Sequence, residues 1–266
     1  MNRAPVSTLK KTVDPPKPTI VSSTCAILRL LAESSSALGV NAIARKLSMP
    51  PSSCFKILKQ LQAQDFVDCD EMDKCYSLGT GVIPLGRRAL DPVNSFSRLR
   101  YLLEDAAHRH SIAIGFWRLL PNRRMVLAGF VEDNRTMRIH MTVGQRLPRL
   151  VGGVGRAIAA ELNLSKEEMQ KEFDLLNWRT PLSFAEYERE VNFARQNGYA
   201  VDIGNFAHGV CTVATTISDD EGIVRFGISG IMFNGEYTDD MIARIGNALV
   251  ELADAAKVHL GWLPGL

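Results

Sequence analysis

Residues 40–63 constrain this chain more than any other stretch. Val40, Ile43, Ala44 and Leu47 recur at i, i+3, i+4 and i+7, and Cys54, Ile57, Leu58 and Leu61 repeat that spacing. Each set is one apolar face of a short helix. The two helices meet at a tight Ser48-Met49-Pro50 corner, and the second opens with Pro50-Pro51-Ser52-Ser53. Proline suits a first helical turn because the N–H it removes has no partner there. The outer face of the second helix carries Ser52, Ser53, Phe55, Lys56, Lys59 and Gln60. Two helices at a sharp angle, the second presenting hydroxyls and ammonium groups, form the arrangement that places a recognition helix in the DNA major groove. Periodicity alone is equally compatible with a helical hairpin that has a solvated face.

Composition sets the frame. The chain has 266 residues, 46% hydrophobic and 23% charged, which is ordinary for globular proteins and long enough for two domains. No run of 18 apolar residues occurs, so no membrane span is expected. Residues 1–19 are polar, with Lys10, Lys11 and Lys17 among prolines. They read as a disordered basic tail without an apolar signal core, which implies a cytoplasmic protein. Five cysteines are an odd count and point to reduced thiols. Cys69 and Cys75 have no His beside them, so no zinc site and no cofactor are expected. The first 90 residues carry a net +5 and the remainder −3, a bias that suits a phosphate-facing N-terminal module.

Further elements follow from the pattern. Ser23–Glu33 reads as a helix capped by Ser22 or Ser23. Phe66–Cys69 and Lys74–Leu78 flank the polar 70–73 and read as a hairpin. Three helices and a hairpin make a winged helix-turn-helix over 20–79. Its acidic wing tip offers phosphate only Lys74. A short helix over Val82–Leu90 lies in a linker, residues 80–92, and Phe96, Leu99, Leu102, Leu103 and Ala106 open the next domain, 93–266.

There the period changes. Ile112–Arg118, Met125–Val131 and Met137–Val143 read as strands. Val154–Leu162, Ser165–Phe173 and Phe184–Asn197 read as helices. Val210–Ile217 and Ile223–Ser229 pair around Asp219-Asp220-Glu221-Gly222, and Asp239–Leu260 closes the chain as a long helix. This is an α+β domain around an antiparallel sheet.

At this point the chain resembles the IclR-type transcriptional regulators. The resemblance spans about residues 20–262. It rests on Ala42-Ile43-Ala44-Arg45-Lys46-Leu47, Pro50-Pro51-Ser52-Ser53 and Tyr76-Ser77-Leu78-Gly79 in the first domain. In the second it rests on Val143-Gly144-Gln145-Arg146-Leu147-Pro148, Gly155-Arg156-Ala157, Asn197–Asp202, Gly209-Val210 and Ile228-Ser229-Gly230. It implies a winged-helix DNA-binding domain, a linker helix and an effector-binding domain of GAF-like topology. It also implies homodimers or homotetramers on palindromic double-stranded operators.

On that resemblance Pro51, Ser52, Ser53, Phe55, Lys56, Lys59 and Lys74 would face DNA. Lys56 and Lys59 lie one turn beyond the serines, on the same face. Phe55 can touch a thymine methyl. Family members usually carry a polar or charged residue at the Pro51 position, so one base contact is missing here. The effector pocket, carried over by position, uses Gly153, Val154, Asp202, Val210, Thr212 and Ser229. The amides of 152–155 suit an anion, Thr212 and Ser229 offer hydroxyls, and Asp202 can accept from a ligand hydroxyl.

The pocket departs from the family pattern. Ile203-Gly204-Asn205-Phe206 stands where an acidic run is common, Cys211-Thr212-Val213 replaces Arg-Cys-x, and Gly227 replaces a serine. A pocket with fewer polar groups and Phe206 implies a small organic acid larger or more apolar than a two- or three-carbon keto acid, such as an aromatic acid.

An enzyme finds little support. Gly152-Gly153-Val154-Gly155 fails the dinucleotide and phosphate-loop patterns, and His208 beside Cys211 in sequence is not how such dyads form. No catalytic residue is expected. The competing interpretation is a helix-turn-helix that docks another protein, joined to an effector domain that binds no ligand.

Overall fold

The computed structural model describes residues 19–91, 94–132, 139–162 and 164–262. The chain divides into two compact units, Met1–Gly86 and Arg87–Leu266.

In the first unit, α1 (Ile20–Glu33), α2 (Val40–Lys46) and α3 (Pro51–Gln62) surround a core of Ile27, Leu31, Ile43, Ala44, Cys54, Leu58 and Leu61. Ile43, Ala44, Cys54, Leu58 and Leu61 belong to the sets whose spacing marked the apolar faces of α2 and α3; Val40, Leu47 and Ile57 of those sets are partly buried against this core. The corner between α2 and α3 is made by Ser48, which takes a positive φ of 50°. The cap of α1 differs from the expectation. Thr19, not Ser22 or Ser23, accepts from the Ser22 amide, and the helix starts three residues earlier. Ser22 itself donates its hydroxyl back to the Thr19 carbonyl, so it cannot also be the first residue outside the helix. The hairpin is β2 (Val67–Cys69) with β3 (Cys75–Leu78), and Val67 opposes Leu78. A two-residue β1, Leu38–Gly39, adds to the other side of β3. Helix α4 (Val82–Leu90) runs across the division between the units.

The second unit is a six-stranded antiparallel sheet between two helical layers. It is built from α5 (Ser95–His110), β4 (Ala113–Leu120), β5 (Arg124–Val131), β6 (Arg146–Pro148) and α6 (Gly152–Glu161), then α7 (Lys166–Phe173), α8 (Phe184–Asn197), β7 (Ala200–Ile203), β8 (Val210–Ser218), β9 (Val224–Phe233) and α9 (Asp239–Leu260). The strand order is β6-β5-β4-β9-β8-β7. Strand alternation sends Phe116, Cys211, Val213, Phe226 and Ile228 toward α5 and α9. Trp117, Met125, Leu127 and Ala214 pack on the other side with α6, α7 and α8.

Two sequence expectations are corrected here. The third strand was placed at Met137–Val143, of which Met137 and Arg138 lie outside the described residues. Residues 139–143 are not strand, and the strand is Arg146–Pro148. The chain turns at Gly144 (φ +93°) before its backbone reaches β5, as the Gly144 amide bonds to the Leu127 carbonyl. Strand β7 was missing from the expectation; it pairs Ala200–Ile203 with Cys211–Ala214. Of the expected tail, residues 1–18 lie outside the described residues, as does Pro92 of the linker.

Candidate functional site

The first candidate surface is the outer face of α3. Pro51, Ser52, Ser53, Phe55, Lys56 and Lys59 are all exposed, while Cys54, Leu58 and Leu61 are buried. The amides of Ser53 and Cys54 bond to the Pro50 carbonyl, and Pro51 has no N–H. The Ser52 amide has no acceptor among the described residues, and no acid occupies the first turn. The start of α3 therefore presents positive partial charge and two hydroxyls, which suits a phosphate or base edge. Lys59 is not freely extended. Its Nζ donates to Gln62 Oε1 at 3.0 Å and lies 5.8 Å from the centre of the Phe55 ring. Among the described residues Lys56 has no such tie.

Lys74 is exposed at the end of the wing turn with φ +57°. The carboxylates of Asp70 and Asp73 beside it are occupied by the amides of Met72 and Cys75. Residues 19–86 hold six basic and six acidic side chains, so the +5 of the first 90 residues comes from the first 18 and from Arg87 and Arg88. Within the module the positive face is local to α2 and α3, and the acids gather at Asp65–Asp73.

The second candidate site is a cavity of about 150 Å³ between the sheet and the start of α6. Gly153, Val154, Val210, Thr212 and Ser229, which the resemblance assigns to an effector pocket, line it. Trp117 and Met125 from β4 and β5, Ile139 and Met141 from the segment before β6, and Phe206 and Ala207 complete it. Sequence reasoning named Phe206 but not the others, because nothing local links the β4–β5 hairpin and the segment before β6 to residues 206–231.

Gly152 and Gly153 make the close approach possible. Gly152 has φ +70°, and a Cβ on Gly153 would stand 2.7 Å from Thr212 Oγ1 and 3.0 Å from the Thr212 carbonyl. The Gly153 amide donates to Thr212 Oγ1 at 3.1 Å. Trp117 Nε1 donates to Ser229 Oγ at 2.9 Å. Both hydroxyl oxygens thus already accept, which leaves each with an O–H to give. The amides of Gly152 and Val154 find no acceptor among the described residues.

Asp202 is a correction. It does not line the cavity. Its Oδ2 accepts from Arg156 Nη1 at 2.6 Å, and its Oδ1 accepts from the amides of Asn205 (3.0 Å) and Phe206 (3.4 Å). Arg156 is fully buried and also donates to Glu190 at 2.6 Å and Asn205 Oδ1 at 3.0 Å, with Trp178 and Tyr187 each 5.4 Å away across their rings. A buried guanidinium needs such partners, and Asp202 is taken up supplying one. The ion pair ties α6 to the loop that brings Phe206 to the cavity wall. A lone arginine in the otherwise small and apolar helix 152–160 was the sequence signal for it.

Cys211 faces the opposite side of the sheet among α5 and α9 side chains, where burial pushes its thiol up to about 11, while His208 is exposed. Among the described residues no helix is long and apolar enough to cross a membrane.

Comparison with known proteins identifies the family of both units. Residues 97–258 match the model of the bacterial transcriptional regulator IclR C-terminal domain, and residues 24–71 match the IclR helix-turn-helix domain. The HTH-type transcriptional repressor AllR of Escherichia coli K12 is 29% identical over 245 residues, 89% of this chain and 88% of that protein. An IclR transcriptional regulator of Alicyclobacillus acidocaldarius superposes with a TM-score of 0.74 at 25% identity, covering 91% of this chain and 98% of the other. An IclR homologue of Microbacterium hydrocarbonoxydans, solved in complex with 4-hydroxybenzoate, has the same fold with a TM-score of 0.73 at 15% identity, over 91% and 99% of the two chains.

Proposed function

The chain belongs to the IclR family of bacterial transcriptional regulators, with a helix-turn-helix domain and a C-terminal effector-binding domain, and from that premise we propose which surfaces do the work. The winged-helix module, 20–79, binds double-stranded DNA through the start of α3: Ser52 and Ser53 to phosphate or base, Lys56 to phosphate, and Phe55 to a thymine methyl. Pro51 offers van der Waals contact only. Lys59 serves as a shorter-reaching charge because Gln62 and Phe55 hold it, and Lys74 is the wing's one cation. Residues 80–92 form the linker, and 93–266 the effector domain. The protein acts in the cytoplasm as a homodimer or homotetramer on a palindromic operator.

The effector is a small organic acid with an aromatic or similarly apolar body. The observation that carries this is the cavity beneath α6. Its size is that of a space that takes a benzene ring, roughly 150 Å³ in an engineered apolar core, and no charged side chain is among its described lining residues. A carboxylate head would lie at the Gly152–Val154 amides and the hydroxyls of Thr212 and Ser229, where the helix end favours negative charge. A two- or three-carbon keto acid would leave most of the apolar wall without contact. The fold neighbour that holds 4-hydroxybenzoate lends support that this architecture can house a ring of this size.

The test is gel retardation of the DNA upstream of the protein's own gene, with benzoate or glyoxylate added. Retardation that benzoate changes and glyoxylate does not supports the proposal. Retardation answered only by glyoxylate overturns the effector class. No retardation on any genomic fragment points instead to a protein-docking role for α3, which exposed Phe55 would suit.

A further inference from the structure

We infer that the cavity selects an acid with a single polar head, and discriminates against ring hydroxyls. This rests on the proposal that the cavity is the effector site, and goes beyond it by fixing what the rest of the ligand must lack. Among the described lining residues, three side chains have a polar N or O atom: Trp117, Thr212 and Ser229. Trp117 Nε1 is committed to Ser229 Oγ, and Thr212 Oγ1 accepts from the Gly153 amide. What remains to offer a ligand at this end is mostly donors: two hydroxyl protons and the amides of Gly152 and Val154, with one lone pair left on each hydroxyl oxygen. A carboxylate consumes donors and satisfies them.

A hydroxyl on the far side of the ring is a different matter. It must donate, and the described side chains around the ring body, Met125, Ile139, Met141, Leu147, Phe206 and Ile231, carry no oxygen or nitrogen acceptor. Asp202, the carboxylate that could have served, is held 2.6 Å from Arg156 and outside the lining. A buried donor with no acceptor loses its bond to water and gains none. The same logic disfavours a second carboxylate more strongly, since no cation is among the described residues of the wall.

The experiment is calorimetric titration of the full-length protein with benzoate, 4-hydroxybenzoate and terephthalate, with Thr212→Val as a site control. Benzoate is expected to bind roughly tenfold to a hundredfold more tightly than 4-hydroxybenzoate, terephthalate more weakly still, and benzoate affinity to fall in Thr212→Val. If 4-hydroxybenzoate binds as tightly as benzoate or more so, the single-head rule is overturned while the effector reading survives. If none of the three acids binds, or if Thr212→Val leaves every affinity unchanged, the cavity is not the acid site and both fall together.

Discussion

Replacing Asp202 by Asn separates a structural role from a ligand-binding one. The substitution keeps the side chain's shape and an oxygen for the amides of Asn205 and Phe206, but removes the charge 2.6 Å from Arg156. Arg156 is 0% exposed and Asp202 2%, so water cannot replace the lost partner. Breaking a buried pair by removing one member costs about 3–5 kcal/mol. Glu190 remains at 2.6 Å and is 38% exposed, which places the cost near the lower end, about 3 kcal/mol. For a unit the size of Arg87–Leu266, each kcal/mol moves the melting point by about 2–4 °C. The transition of that unit should therefore drop by about 6–12 °C in differential scanning calorimetry of the full chain. Benzoate affinity, measured well below the new transition, should change by less than about threefold, because Asp202 does not line the cavity. Arg156→Met should be similarly damaging, and the double variant should cost clearly less than the two singles added, since the second change removes a partner already without its mate. A melting point within 2 °C of the parent, together with lost benzoate binding, would refute this reasoning and return Asp202 to the ligand.

Three further outcomes follow from other parts of the molecule. Lys56→Ala should lower the slope of log affinity against log salt for DNA by about one, and Lys59→Ala by less, because Gln62 and Phe55 already hold that ammonium; equal slopes for all three proteins in anisotropy titrations would show that this face does not meet phosphate. Gly153→Ala puts a methyl 2.7 Å from Thr212 Oγ1 and should abolish the response to effector in a gel-retardation assay while DNA affinity without effector stays the same; an unchanged response would mean the start of α6 is not part of the site. Glu186 and Glu168 cap their helices through Ser183 and Ser165, whose side-chain and backbone bonds hold both carboxyls below the usual range. Their contribution is full above the unfolded value of about 4.3 and fades as pH falls through the lower folded values, so melting measured between pH 6 and 3 should decline less steeply in Glu186→Gln than in the parent.

Much of the fold was legible because long amphipathic elements leave a strong period. The apolar sets of α2 and α3, the 22-residue α9 and the two central hairpins needed nothing beyond spacing and turn residues. The short pieces were not. Strand β1 is two residues and β6 three, too brief to show alternation, and both exist because a neighbouring strand offers an open edge. The candidate pocket was half legible: the family resemblance, carried over by position, implied Gly153, Thr212 and Ser229, which line the cavity. Trp117, Met125 and Met141 lie far in the chain from Val210–Ser229, and the sheet order brings the two groups together. Asp202 misled for a physical reason. A carboxylate at a strand end looks available until the buried arginine that claims it is found 46 residues away.

The central claim is that the start of α3 reads duplex DNA while the cavity beneath α6 senses an apolar acid. The most direct measurement is selection of duplexes from a random pool by the full-length protein, followed by anisotropy titration of the enriched sequence against the parent and Lys56→Glu, each with and without benzoate. An enriched inverted repeat, bound by the parent, lost in Lys56→Glu and shifted in affinity by benzoate is the expected result. A pool with no enriched sequence, or a duplex bound equally by Lys56→Glu and indifferent to benzoate, would contradict it.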